Sequence, residues 1–127
     1  MTERRRWLRF ETALNALCEI VAEKYRAHSK VKNISKEGAL VVLDKPLKEG
    51  SQVNLSMDIP GDNIPVFATG QVAWQKPPRR AESDEGDSYE TGVRFTKIEG
   101  GDKGRLLEYI YTQWLKLLDK LPNKNEE

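Results

Sequence analysis

Apolar and polar residues alternate along most of this chain, with turn residues between the alternating stretches. Val53, Leu55, Met57 and Ile59 alternate with Asn54, Ser56 and Asp58, which predicts a half-buried strand. Ala39 to Leu43 is a short apolar strand. Tyr25 to Ile34, Val66 to Trp74 and Tyr89 to Thr96 also read as strands, with Thr69-Gly70 marking a bulge in the second of them. Ser35-Lys36-Glu37-Gly38, Asp44-Lys45-Pro46, Glu49-Gly50 and Pro60-Gly61-Asp62-Asn63 separate them as turns. Phe10 to Ala22 fits two periods. Ala13, Leu14, Ala16, Leu17 and Ile20 are spaced as on a helix, whereas Cys18, Ile20 and Ala22 alternate as on a strand. The strands that follow favour a strand here as well.

Near the C-terminus the period changes. Leu106, Leu107, Ile110, Tyr111, Trp114, Leu117, Leu118 and Leu121 recur at three- and four-residue spacings and form one stripe of a helix over 102–121. Asp102 is the expected N-cap, Pro122 the expected stop, and 122–127 a frayed tail. Six strands followed by one amphipathic helix predict a mainly β architecture, a six-stranded antiparallel β-barrel over 10–99 with the C-terminal helix packed on it. Tyr111 and Trp114 are candidate anchors should the helix also meet a partner, so the chain is expected to be a monomer or a homodimer.

Composition narrows the function. The 127 residues suit one domain, and 21 Lys and Arg against 20 Asp and Glu give a net charge of +1. Such a balance disfavours a protein that coats nucleic acid with its whole surface. The charge is uneven, however. Arg4, Arg5, Arg6 and Arg9 make residues 1–9 a flexible basic arm, while Glu82, Asp84, Glu85 and Asp87 make 75–88 an acidic, mobile loop. Cys18 is the single cysteine, which excludes an intrachain disulfide and a cysteine-rich metal site. No apolar run is long enough to span a membrane, and no apolar stretch follows the first arginines as in a signal peptide, so the cytoplasm is the expected location. His28, the single histidine, reads as a surface residue, and no pair of carboxylates has a convincing catalytic spacing. An enzyme is not expected.

Two stretches carry recognisable chemistry. The arginines of the arm offer planar paired donors that match a phosphate or a guanine edge. Asn33 and Ser35, two apart at a strand end, can present an amide and a hydroxyl on one face, and Gly38 permits a turn that a ligand can approach closely. Each is weak by itself. In this order, Arg5-Arg6-Trp7-Leu8-Arg9 and Asn33-Ile34-Ser35-Lys36-Glu37-Gly38 resemble the RxxxR and (D/N)xSxxG signatures of the PilZ domain family. Gly50 to Leu55, Gly70-Gln71-Val72-Ala73-Trp74 and Gly92-Val93-Arg94-Phe95 extend the resemblance to roughly residues 4–98.

The resemblance implies a bacterial second-messenger receptor whose ligand is cyclic di-GMP, with no further cofactor and no metal. It places Arg5 and Arg9 on phosphates and guanine edges, Asn33 on a guanine, Ser35 on a phosphate, and Gly38 in the low turn beneath them. Arg4 and Arg6 would assist, and Arg4 directly before the RxxxR signature points to two stacked ligand molecules. Trp74 is a candidate to stack on a base. Asn33 stands where many relatives have Asp, which keeps the carbonyl acceptor and removes the charge. Binding would order the arm on the barrel and pass the signal to an unidentified downstream protein. The alternatives are a PilZ-fold protein-interaction module without ligand, and a small nucleic-acid-binding barrel stacking bases on Trp74 or Tyr89.

Overall fold

The computed structural model describes residues 10–76 and 88–120. The expected arm at 1–9, the acidic interval 77–87 and the tail beyond 120, with Leu121 and Pro122, lie outside the described residues.

Six strands close into an antiparallel barrel: β1 (Phe10–Ile20), β2 (Tyr25–Ile34), β3 (Gly38–Leu43), β4 (Gln52–Met57), β5 (Val66–Gln75) and β6 (Tyr89–Lys97). Their order around the barrel is β1-β2-β3-β6-β5-β4, and β4 pairs back onto β1. The ambiguous stretch after Phe10 is therefore a strand. Its helix-like spacing has a simple cause: Leu14, Ala16, Cys18 and Ile20 face the core at period two, and Leu17 is an outward apolar residue that mimics a helical neighbour. Val31, Val41, Val53, Leu55, Met57, Val66, Val72 and Val93 fill the interior with the inward set of β1.

Helix α1 (Gly100–Lys120) lies over the end of the barrel where β5 and β1 begin. Leu106 and Ile110 enter the core, while Tyr109 and Trp114 pack against it. The N-cap expectation for Asp102 is corrected: the helix begins at Gly100, and Asp102 lies inside its first turn. Its carboxylate accepts the Phe67 backbone N–H at 3.1 Å and the Arg105 guanidinium at 2.6 Å. Arg105 in turn donates to the carbonyl oxygens of Ile64 and Pro65. A side chain expected to cap the start of the helix instead fastens its first turn to β5. No helix among the described residues is long and apolar enough to cross a membrane.

Candidate functional site

Alternation along a strand puts every second side chain outside, so Asn33 and Trp74 should share the inward faces of Val31 and Val72. Two β-bulges reverse this. The register shifts between Val31 and Asn33 on β2, and between Val72 and Trp74 on β5. Each extra residue flips the following position to the outer face. Asn33, Leu40, Gly92 and Trp74 then form one cross-strand row over β2, β3, β6 and β5. The row is packed at its far end: a Cβ on Gly92 would lie 2.3–2.8 Å from indole atoms of Trp74. The indole thus rests over a strand position that only glycine leaves open. Trp74 remains 42% exposed, so it presents ring surface to solvent on the same outer wall as Asn33.

The β2–β3 turn borders this row. Ser35 is buried; its backbone N–H donates to the Gly38 carbonyl at 2.9 Å, and its Oγ accepts the Glu37 N–H at 3.2 Å. Ser35 is thus built into the turn, with the hydroxyl holding the loop in shape. Gly38 pairs with Arg94 on β6, and a Cβ there would lie 2.1 Å from the Val93 carbonyl oxygen. Glycine is required because β3 and β6 approach closely. The same pairing places Arg94 outward beside the turn, where its guanidinium donates to Gln71 Oε1 at 3.1 Å. Arg94 was not singled out from the sequence. Its alternation with Val93 could have shown that it faces outward, but its place next to Gly38 depends on the β3–β6 register.

Charge is arranged around the row. Glu90 sits between Lys32 at 3.0 Å and Lys76 at 3.5 Å. The Lys32 hydrogen bond is the main cause holding the Glu90 carboxyl below its usual range, so it stays anionic at neutral pH. The four arginines of the arm, Arg4, Arg5, Arg6 and Arg9, lie outside the described residues. The residues that follow them are described, however. Phe10 pairs with Ile34 and Glu11 with Asn33, so the chain enters β1 directly opposite the Asn33–Ser35 segment.

A separate groove on another wall is lined by Leu17, Glu19, Arg26, Asn54, Phe67 and Lys97, among others, and by none of the candidate ligand-binding residues. Among the described residues no group of three or more His, Cys, Asp or Glu could hold a metal ion.

A closed antiparallel barrel with a glycine-bottomed turn, and with Asn33 and Trp74 turned onto its outer wall by bulges, defines a class of small β domains. The chain belongs to the PilZ domain family, whose model matches residues 3–112. Among solved structures it is similar to the Klebsiella pneumoniae MrkH–c-di-GMP complex, with a TM-score of 0.71, 16% identity, and coverage of 94% of this chain and 57% of that one. It is also similar to the Bacillus subtilis inhibitor of motility MotI/DgrA, with a TM-score of 0.70, 19% identity, and coverage of 91% and 53%. The PilZ domain of Escherichia coli YcgR with c-di-GMP gives a TM-score of 0.67 at 17% identity, covering 94% of this chain and 100% of that domain. The chain thus spans about half the length of MotI and MrkH. Comparison with curated protein sequences gives no match.

Proposed function

We propose that this protein is a cyclic di-GMP receptor with no catalytic role, which orders its N-terminal arginines on the ligand and offers the altered surface to a protein partner. The observation that carries the reading is the register of β1 on β2. Because Phe10 pairs with Ile34, Arg9 is one residue from a strand position facing the turn. Arg5 is five residues from it, a reach of roughly 17 Å if extended. Both guanidinium groups are therefore within range of a nucleotide seated at Asn33 and Gly38. The PilZ structures of YcgR and MrkH that the fold resembles hold c-di-GMP, which supports the same ligand class here.

In this reading Arg5 and Arg9 grip phosphate and guanine edges bidentately, with Arg4 and Arg6 assisting. Asn33 accepts from or donates to a guanine edge, and the Ser35 turn presents its backbone to a phosphate. Trp74 supplies an aromatic face at the end of the row. Arg94 adds a fixed cation beside Gly38. Ordering nine residues has a large conformational cost, which several charge-assisted contacts to a doubly charged ligand offset.

Calorimetric titration with cyclic di-GMP tests the proposal. Wild type should bind, and the Arg5→Ala/Arg9→Ala double variant should lose at least about a hundredfold in affinity, the loss of two charge-assisted contacts, with an unchanged circular-dichroism spectrum. Equal affinity of the two proteins would overturn the assignment.

A further inference from the structure

A guanine presents two parallel N–H groups on its pairing edge, one at N1 and one on the 2-amino group. A carboxylate takes both with its two oxygens, as it takes the fork of an arginine. An amide cannot, because its nitrogen is a donor and would face a donor. Asn33 is such an amide, so it does not read that edge in full. Glu90 is placed to do so. It lies two residues before Gly92 on the outer face of β6, about 6.8 Å along the strand from the glycine under the Trp74 indole. Two lysines tie its carboxylate to both ends of the row that holds Asn33 and Trp74. Lys32, next to Asn33 in the chain, donates to Oε2 at 3.0 Å. Lys76, two residues after Trp74, approaches Oε1 at 3.5 Å. These contacts fix the side chain and keep it anionic at neutral pH. They occupy one lone pair on each oxygen and leave the other for a ligand. The Glu90 side chain is 25% exposed, so the carboxylate is open to solvent.

We propose that Glu90 selects the base at this site, its carboxylate accepting the N1–H and a 2-amino hydrogen of a guanine stacked on Trp74. The inference rests on the cyclic di-GMP reading and deepens it. An acidic side chain of β6 confines the ligand to guanine bases, in place of the charge absent at Asn33. The sign of the effect separates this role from that of a bystander. A carboxylate beside a doubly charged anion repels it, so neutralising a bystander would tighten binding. Neutralising the acceptor of two N–H groups weakens binding instead, and does so chiefly for a base that carries both.

Calorimetric titrations of the full chain with cyclic di-GMP and with its inosine analogue cyclic di-IMP, which lacks only the 2-amino groups, test the role at matched salt. Wild type should favour the guanine ligand about tenfold or more, the loss of a hydrogen bond to a charged acceptor. Glu90→Gln should keep the far-ultraviolet spectrum and lose about tenfold or more in affinity for cyclic di-GMP. It should lose little for cyclic di-IMP, because the new side-chain carbonyl still accepts N1–H. The preference for guanine should therefore narrow. Tighter binding of cyclic di-GMP by Glu90→Gln, equal losses for the two ligands, or a wild type that binds both equally would each overturn the assignment of Glu90 and leave the receptor reading in place. A wild type that binds neither ligand would remove the receptor reading and the assignment together.

Discussion

Two glycines on the barrel wall do different work, and the difference is testable residue by residue. At Gly38 the obstacle to a side chain is the Val93 backbone oxygen, which cannot move without parting β3 from β6. At Gly92 the obstacle is the Trp74 indole, a side chain that is 42% exposed and free to swing into solvent. Gly38→Ala should therefore cost about 2–3 kcal/mol of stability, the upper range for overpacking. Gly92→Ala should cost under about 1 kcal/mol while changing the tryptophan emission and displacing the aromatic face from the site. Urea unfolding with fluorescence separates the two outcomes, and similar stability losses would contradict the geometry. At this scale the sequence was informative about Asn33, Ser35 and Gly38, whose spacing is local. It was silent on Arg94, Leu40 and the Gly92–Trp74 contact. Those depend on which strands become neighbours and on two bulges that invert the alternation.

The strands were legible because period-two alternation and turn chemistry are both local signals. The helix was legible as a helix, but its stripe overstated its burial. The sequence makes Leu106 and Leu107 equivalent, whereas the barrel end accepts only Leu106 fully. Asp102 shows the same limit: an acidic residue at a helix start reads as a cap, and only the fold brings the Phe67 N–H within 3.1 Å. The Arg105 hydrogen bond, then that of Phe67, hold its carboxyl below the ordinary range. A depressed carboxyl contributes stability above its unfolded value and loses it as pH falls through the folded one. Asp102→Ala should therefore destabilise the protein by about 1 kcal/mol at pH 7. The difference between wild type and variant in thermal unfolding should begin to shrink below about pH 4, where the unfolded-state carboxyl protonates, and vanish only once the depressed folded carboxyl protonates as well. A difference that stays undiminished as pH falls to about 2 would show that the helix is fastened by something else.

Taken whole, the barrel has no free edge, because β1 pairs with both β2 and β4. Closure leaves no strand able to peel away alone. Cys18, 1% exposed, lies on the strand that completes the ring, and burial first, with Glu19 second, pushes its thiol up to about 11. The thiol should stay protonated and unreactive toward a disulfide reagent at pH 8 until the barrel opens globally. Its labelling rate should then follow the unfolding equilibrium as urea is added. Fast labelling in the absence of urea would mean that the ring opens locally.

The pairing of Phe10 with Ile34 also fixes a concentration. In the proposed reading, a guanidinium joined to the rim of the turn by so few bonds would meet a seated anion as a tethered neighbour, at the millimolar effective molarity of short linkers, and not as a solute. Extra residues inserted between Arg9 and Phe10 would dilute it only gradually, by about 0.6 kcal/mol for each doubling of the tether.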